Sequence, residues 1–160
     1  ILLIGIITPI NSWATANGYL YYRPHALITS QELEALEFLK SQDDGIVLTY
    51  PYDKRLKQKL AEPWPLFVYD STAYVGAFSK KAIFLEDEPQ NQILLTDYKK
   101  RTVGSKDFFA RLGIGEEEFL KENNINYIYV PKMYKIKLNE ELKNIEIIFE
   151  NAEVLIYQVN

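Results

Sequence analysis

Residues 28–51 read ITSQELEALEFLKSQDDGIVLTYP, and this stretch decides the fold class. Thr29 and Glu32 stand at T-x-x-E spacing. There a hydroxyl accepts from a first-turn amide and a carboxylate reaches back to the cap, which is how an isolated helix start satisfies its orphan donors. Ile28 and Leu33 sit at staple positions around that cap. Leu33, Leu36, Phe38 and Leu39 then fill one helix face, opposite Glu34, Glu37 and Lys40. Asp43-Asp44-Gly45 ends the helix. The run Ile46-Val47-Leu48-Thr49-Tyr50, closed by Pro51, is short, apolar and β-branched, the pattern of a buried strand.

Downstream the alternation continues. Asp53 is placed to cap a helix over 54–61, which Pro63 and Pro65 terminate. Residues 66–69 fit a strand or a helical turn, and Asp70 or Ser71 is placed to cap a short helix through Phe78. Ala82 to Leu85 reads as a strand, followed by the acidic turn Glu86-Asp87-Glu88-Pro89. Helices are expected over 90–101, stopped by Gly104, then over 105–115 and over 116–123. Tyr127 to Val130 is a strand ended by Pro131. Residues 145–149 and 154–159 flank the polar turn Glu150-Asn151-Ala152-Glu153, and two β-rich runs about so short a turn form an antiparallel hairpin. The pattern specifies an α/β fold: a mixed, largely parallel sheet flanked by helices in a Rossmann-like three-layer arrangement, ending in that hairpin.

Upstream, residues 1–7 (ILLIGII) carry no polar side chain, and Thr8-Pro9 ends the run. A spanning helix needs about 20 apolar residues, so seven fit the end of a truncated span or a buried strand. A signal-peptide core fits less well, because no basic segment precedes it. Residues 11–24 show neither period and read as an aromatic connector, with Trp13, Tyr19, Tyr21 and Tyr22 of the kind found beside membranes. The expected organisation is an apolar segment and connector over 1–24 and one α/β domain over 25–160. The chain starts at Ile1 and its one methionine is Met133, so we expect it to be a piece of a longer protein.

Composition narrows the chemistry. The 160 residues carry a net charge of −4, which argues against a nucleic-acid partner. With no cysteine, thiol nucleophiles and thiolate-bound zinc are excluded. The single histidine, His25, lacks partners for a metal site, and no G-x-S-x-G elbow accompanies it for a serine relay. The seven glycines form neither G-x-G-x-x-G nor a phosphate loop; Gly113-Ile114-Gly115 lies between helices. The acidic groups Asp43-Asp44 and Glu86-Asp87-Glu88 flank turns, where carboxylates cap helices and stay solvated. Glu116-Glu117-Glu118 opens a helix, where negative charge suits the dipole, and Lys99-Lys100-Arg101 closes one, where positive charge does. No metal, cofactor or catalytic residue is assigned. The strongest constellation is Tyr50-Pro51-Tyr52-Asp53-Lys54-Arg55, at the carboxyl end of an inner strand where open α/β sheets place ligands. Tyrosine faces beside a Lys-Arg pair suit a sugar or an anionic group, so Tyr50, Tyr52, Asp53, Lys54 and Arg55 are the candidate ligand-binding residues. Packed tyrosines, a capping aspartate and solvated cations are the alternative.

The order of these elements also resembles a known arrangement. The apolar opening, the helix–strand stretch 28–51, KKAIFLED (80–87), KKRTVGSKDFFARL (99–112), FLKENNINYIYVPK (119–132) and IEIIFENAEVLIYQVN (145–160) together look like the C-terminal region of multi-pass GT-C-type membrane glycosyltransferase-like proteins of bacteria and archaea. The likeness lies in Ile83 to Asp87, Phe108-Phe109, Phe119-Leu120, Ile125 to Val130 and Val154 to Val159. It departs from the pattern where such proteins often carry an arginine, since Lys80-Lys81 precede the strand here. The resemblance implies an accessory domain on the extracytoplasmic face of the cell membrane, non-catalytic in itself, with a role in acceptor or partner recognition. Its partners would be the membrane-embedded remainder of the same chain and a polyprenyl-linked sugar or glycan acceptor. The alternatives are a free-standing α/β enzyme or binding module for a sugar or phosphate at Tyr50–Arg55, and a structural interaction domain.

Overall fold

The structure, a computed structural model, describes residues 2–21, 25–94, 97–112, 117–138 and 144–160. The deciding stretch folds as its sequence dictates. Thr29 caps helix α2 (Ser30–Ser41), its Oγ1 accepting from the Glu32 amide at 3.0 Å, and the chain then enters β2 (Ile46–Thr49). β2 lies between β4 (Ala82–Ile83) and β5 (Ile125–Pro131), parallel to both. The hairpin β6 (Ile145–Glu150) and β7 (Val154–Val159) completes a five-stranded sheet of order β4-β2-β5-β7-β6. β7 runs antiparallel to both its neighbours, so the sheet is mixed as expected. A second, two-stranded parallel sheet joins β1 (Ala26–Leu27) to β3 (Trp64–Pro65).

Strand alternation separates two apolar cores. Val47, Tyr127, Tyr129, Val154 and Ile156 face Ala35, Leu36 and Leu39 of α2 and Val75 of α4 (Tyr74–Ser79). Leu48, Ile128, Val130, Leu155 and Tyr157 face Phe108 and Phe109 of α6 (Tyr98–Ala110) and Leu120 of α7 (Glu117–Glu122). Helices therefore cover both faces of the sheet. The remaining helices are α3 (Lys54–Lys57) and α5 (Glu88–Leu94).

Several expectations are corrected. The opening is neither strand nor aperiodic connector: Leu2–Tyr21 is one helix, α1, with Pro9 inside it. Its backbone groups pair along the helix. Trp13, Tyr19 and Leu20 are exposed along it. Among the described residues no helix is long and apolar enough to cross a membrane. Gly104 does not stop a helix. It sits within α6, where an added Cβ would lie 2.6 Å from Phe119 Cε2, so glycine is there to let α7 approach. Residues 98–101 of the helix expected before Gly104 run on through it as α6 to Ala110, while residues 90–94 belong to the separate α5. The strand after Lys81 is only Ala82–Ile83, whereas of the two readings of 66–69 the helical turn holds, Leu66–Val68 being a 3₁₀ turn. The glycine pair 113 and 115 and Glu116 lie outside the described residues, as do 22–24 of the connector.

Candidate ligand cleft

The chain passes from β2 outward to β4, then back across to β5 on the other side of β2. Where strand order reverses in this way, the loops leaving the carboxyl ends part and leave a crevice between them. The cleft found there draws on all three parallel strands: Thr49 to Tyr52 after β2, Leu85 to Glu88 after β4, and Tyr129, Pro131 and Tyr134 at the end of β5. The space within it is about 40 Å³, room for a few water-sized groups. Tyr69, Asp70, Thr72 and Tyr74 also line it.

Packing fixes the ring walls. Tyr50 stacks against Tyr134 at 4.1 Å and contacts Phe109 at 5.0 Å. Tyr134 meets Phe67 at 5.5 Å and donates its hydroxyl to the Phe67 carbonyl at 3.0 Å. Burial, then the charge of Asp53, pushes the Tyr50 hydroxyl above the usual phenol range, and burial does the same more strongly at Tyr134. Both rings therefore stay neutral hydrogen-bonding groups at physiological pH.

Two glutamates behind the cleft are not ordinary surface acids. Glu86 accepts from the amides of Val75 and Gly76, both at 3.0 Å, one on each carboxylate oxygen. It supplies from a distance the cap that α4 lacks, since Ala73 at the N-cap has no side chain to offer and neither Asp70 nor Ser71 does so. Burial raises its pKa to about 7, against the lowering effect of those two amides. With both oxygens occupied it is a structural brace. The sequence-based reading of the acidic triplet as a solvated turn is thus corrected at Glu86. Glu32 is 2% exposed, at the core that holds Tyr129 of β5 and Tyr74 of α4. Burial lifts its pKa to about 7; hydrogen bonds from Tyr74, Tyr129 and the Thr29 amide oppose the rise, and the Glu153 carboxylate adds to it. The Tyr129 hydroxyl stands 3.5 Å from Glu32 Oε1, and Thr29 Oγ1 donates to Glu153 Oε2.

Four of the five residues singled out in the sequence come together. Tyr50, Tyr52, Asp53 and Arg55 line a groove of about 460 Å³ with Lys106 and Phe109 of α6. Lys54 is not among its lining residues. Asp53 caps α3, accepting from the Arg55 amide at 2.8 Å. The groove adjoins the cleft through Tyr50, Pro51 and Tyr52, which line both. Sequence reasoning missed Lys106 and the cleft's own Asp70, Tyr74, Tyr129 and Tyr134. The signal for the tyrosines was their number; their convergence needed the strand order. His25 pairs with Glu62 at 3.0 Å and lines neither concavity. Lys81, of the lysine pair that precedes β4, is turned inward to the Gln42 carbonyl at 2.6 Å.

A solved structure shares this fold. The C-terminal globular domain of oligosaccharyltransferase from Archaeoglobus fulgidus superposes with a TM-score of 0.54 over 84% of this chain and 99% of that one, at 10% identity. That likeness is one of fold. No protein-family profile matches the chain, and no curated protein matches it by sequence.

Proposed function

We propose that this chain is an extracytoplasmic accessory domain of an integral-membrane glycosyltransferase-like protein, non-catalytic in itself and used to recognise an acceptor or a partner. The observation that carries the reading is the fold shared with a domain named as the C-terminal globular part of an oligosaccharyltransferase, nearly the whole of which this chain matches. The order of sequence motifs points independently to the same region of GT-C-type proteins. The test is transfer by the parent protein with and without residues 25–160. Loss of acceptor affinity with a retained turnover number at saturation supports recognition. An unchanged KM with a turnover number lowered by several orders of magnitude would place chemistry in the domain and sink the reading.

A second reading rests on the groove. Tyr50 and Tyr52 line it with Arg55 and Lys106, a set that suits a sugar phosphate: aromatic side chains pack on sugar C–H surfaces, and the two cations meet the phosphate. Titration with glucose 1-phosphate, compared with glucose, tests it. Saturable binding that Arg55→Ala and Lys106→Ala both weaken supports the groove as an anion-dependent sugar site. Equal affinity for the uncharged sugar removes the role given to the cations.

A further inference from the structure

Thr29 holds two carboxyl groups at once. Its amide donates to Glu32, and its hydroxyl, which accepts from the Glu32 amide at 3.0 Å, donates to Glu153 Oε2. The two acids come from distant parts of the chain: Glu32 lies in the first turn of α2, and Glu153 closes the turn between β6 and β7. The other groups facing Glu32 are the phenols of Tyr74 from α4 and Tyr129 from β5. Further out, Glu86 acts on both of those tyrosines, and Tyr134 is acted on by Glu32. None of these carries a positive charge. Lys132, which lines with Thr29, Glu32 and Glu153 a groove of about 350 Å³, is paired with Glu150 at 2.6 Å.

The two sides of this joint are held differently. Glu32 is fixed in the core, whereas Glu153 is half-buried and Ala152 before it is exposed. The turn is braced within itself, since Asn151 Oδ1 accepts from the amides of Glu153 and Val154, both at 2.9 Å. It is tied to α2 by the Thr29–Glu153 contact and by Asn151 Nδ2, which donates to the Gln31 carbonyl at 2.8 Å and to Glu34 Oε2 at 3.4 Å. A neutral Glu32 tolerates Glu153 beside it. An ionised Glu32 sets two like charges on one threonine in a poorly screened setting, and the half-buried turn is the side free to yield. We infer that Glu32 and Glu153 form a proton-dependent latch between α2 and the β6–β7 turn: a proton on Glu32 lets both acids share Thr29, and its loss parts the turn from α2 and opens the groove between them. Burial keeps the proton on Glu32 up to about pH 7, so the joint is closed below that pH and loosened above it. The latch rests neither on the accessory-domain reading nor on the sugar-phosphate groove.

The experiment is amide hydrogen exchange of the whole chain, followed by NMR at pH 6, 7 and 8 and expressed as protection factors, which removes the intrinsic pH dependence of exchange. The Glu32 and Glu153 amides, bonded to Thr29 Oγ1 and Asn151 Oδ1, report the joint. The Ile128 amide, on the interior strand β5, reports opening of the whole fold. Both joint amides are expected to be less protected than Ile128, and to lose about tenfold in protection between pH 6 and pH 8. That is the change given by a carboxyl that ionises at about 7 in the closed joint and at its ordinary 4.5 in the open one. Glu32→Gln, neutral at every pH, should stay protected throughout. Glu153→Gln keeps an acceptor for Thr29 but removes the charge, and should show a smaller loss than the parent chain. Constant protection in the parent, the parent's loss repeated in either variant, or joint amides as protected as Ile128 at pH 8 would each overturn the latch. Near-ultraviolet circular dichroism checks that each variant is folded. Should a variant not fold, the Glu32 carboxyl carbon shift of the parent decides: titration in step with joint protection supports the latch, and titration out of step with it overturns it.

Discussion

Replacing Glu32 by glutamine should change how stability depends on pH, by an amount that follows from its burial. In the folded chain the carboxyl holds its proton to about pH 7, whereas its ordinary pKa is 4.5. Below pH 4.5 both folded and unfolded chains carry the proton, and whatever Glu32 contributes is fully present. As pH rises from there, the unfolded chain ionises first and the folded chain is disfavoured, until the folded carboxyl itself ionises. Each unit of separation is worth about 1.4 kcal/mol, so a separation of about 2.5 units removes about 3 kcal/mol of stability by pH 8. Glutamine does not titrate. The difference in unfolding free energy between Glu32→Gln and the parent chain should therefore move toward the variant by about 2 to 3 kcal/mol between pH 5 and pH 8. Urea unfolding at closely spaced pH values measures it, with the slope of each transition checked for constancy. Glu86, whose pKa is raised in the same direction, is present in both chains and cancels. Two parallel stability curves would refute the reasoning, because they would mean that Glu32 is ionised in the fold as readily as outside it.

Other outcomes follow from single contacts. Glu86→Ala leaves the Val75 and Gly76 amides without partners and should cost about 2 to 3 kcal/mol in urea unfolding at pH 5. Thr29→Ala loses the α2 cap as well as the hydroxyl contact to Glu153, and a loss of about 1 to 2 kcal/mol is expected from the same measurement. Gly104→Ala drives a methyl into the Phe119 ring and should destabilise by about 1 to 3 kcal/mol, read as a lowered thermal midpoint. The prediction fails at Gly104 if alanine is neutral or stabilising there, as its higher helix propensity alone would make it.

The parts legible in the sequence were those governed by neighbours along the chain. The Thr29–Glu32 cap, the buried strand before Pro51 and the closing hairpin each announce themselves within a short stretch of chain, and each is found. What escaped depends on residues far apart in sequence. Gly104 looks like a stop signal until Phe119 is seen pressing on it. Glu86 looks like a surface acid until it is found capping a helix twelve residues earlier in the chain. The helix at Leu2–Tyr21 was hidden by Pro9 and by a β-branched opening, both of which argue locally for extended chain. Of the candidate site, the residues just after β2 were legible because a strand end is a local feature. The tyrosines and acids opposite them were not, since only the reversal of strand order brings Asp70, Glu88 and Tyr134 to the same opening.

The tie between Thr29 and Glu153 bears on the order in which the protein can be completed during synthesis. Asn151 reinforces it, donating to the Gln31 carbonyl at 2.8 Å. These contacts join the start of the first helix of the α/β domain to a turn made within ten residues of Asn160, and the strand after that turn is an interior one. Nascent chains fold from the amino end as they emerge, but here β5 has no partner on one side until β7 exists. The ribosome must therefore deliver the chain through β7 before the sheet closes, and a product stopped short of Val154 would expose β5 as a bare edge, open to pairing with other chains.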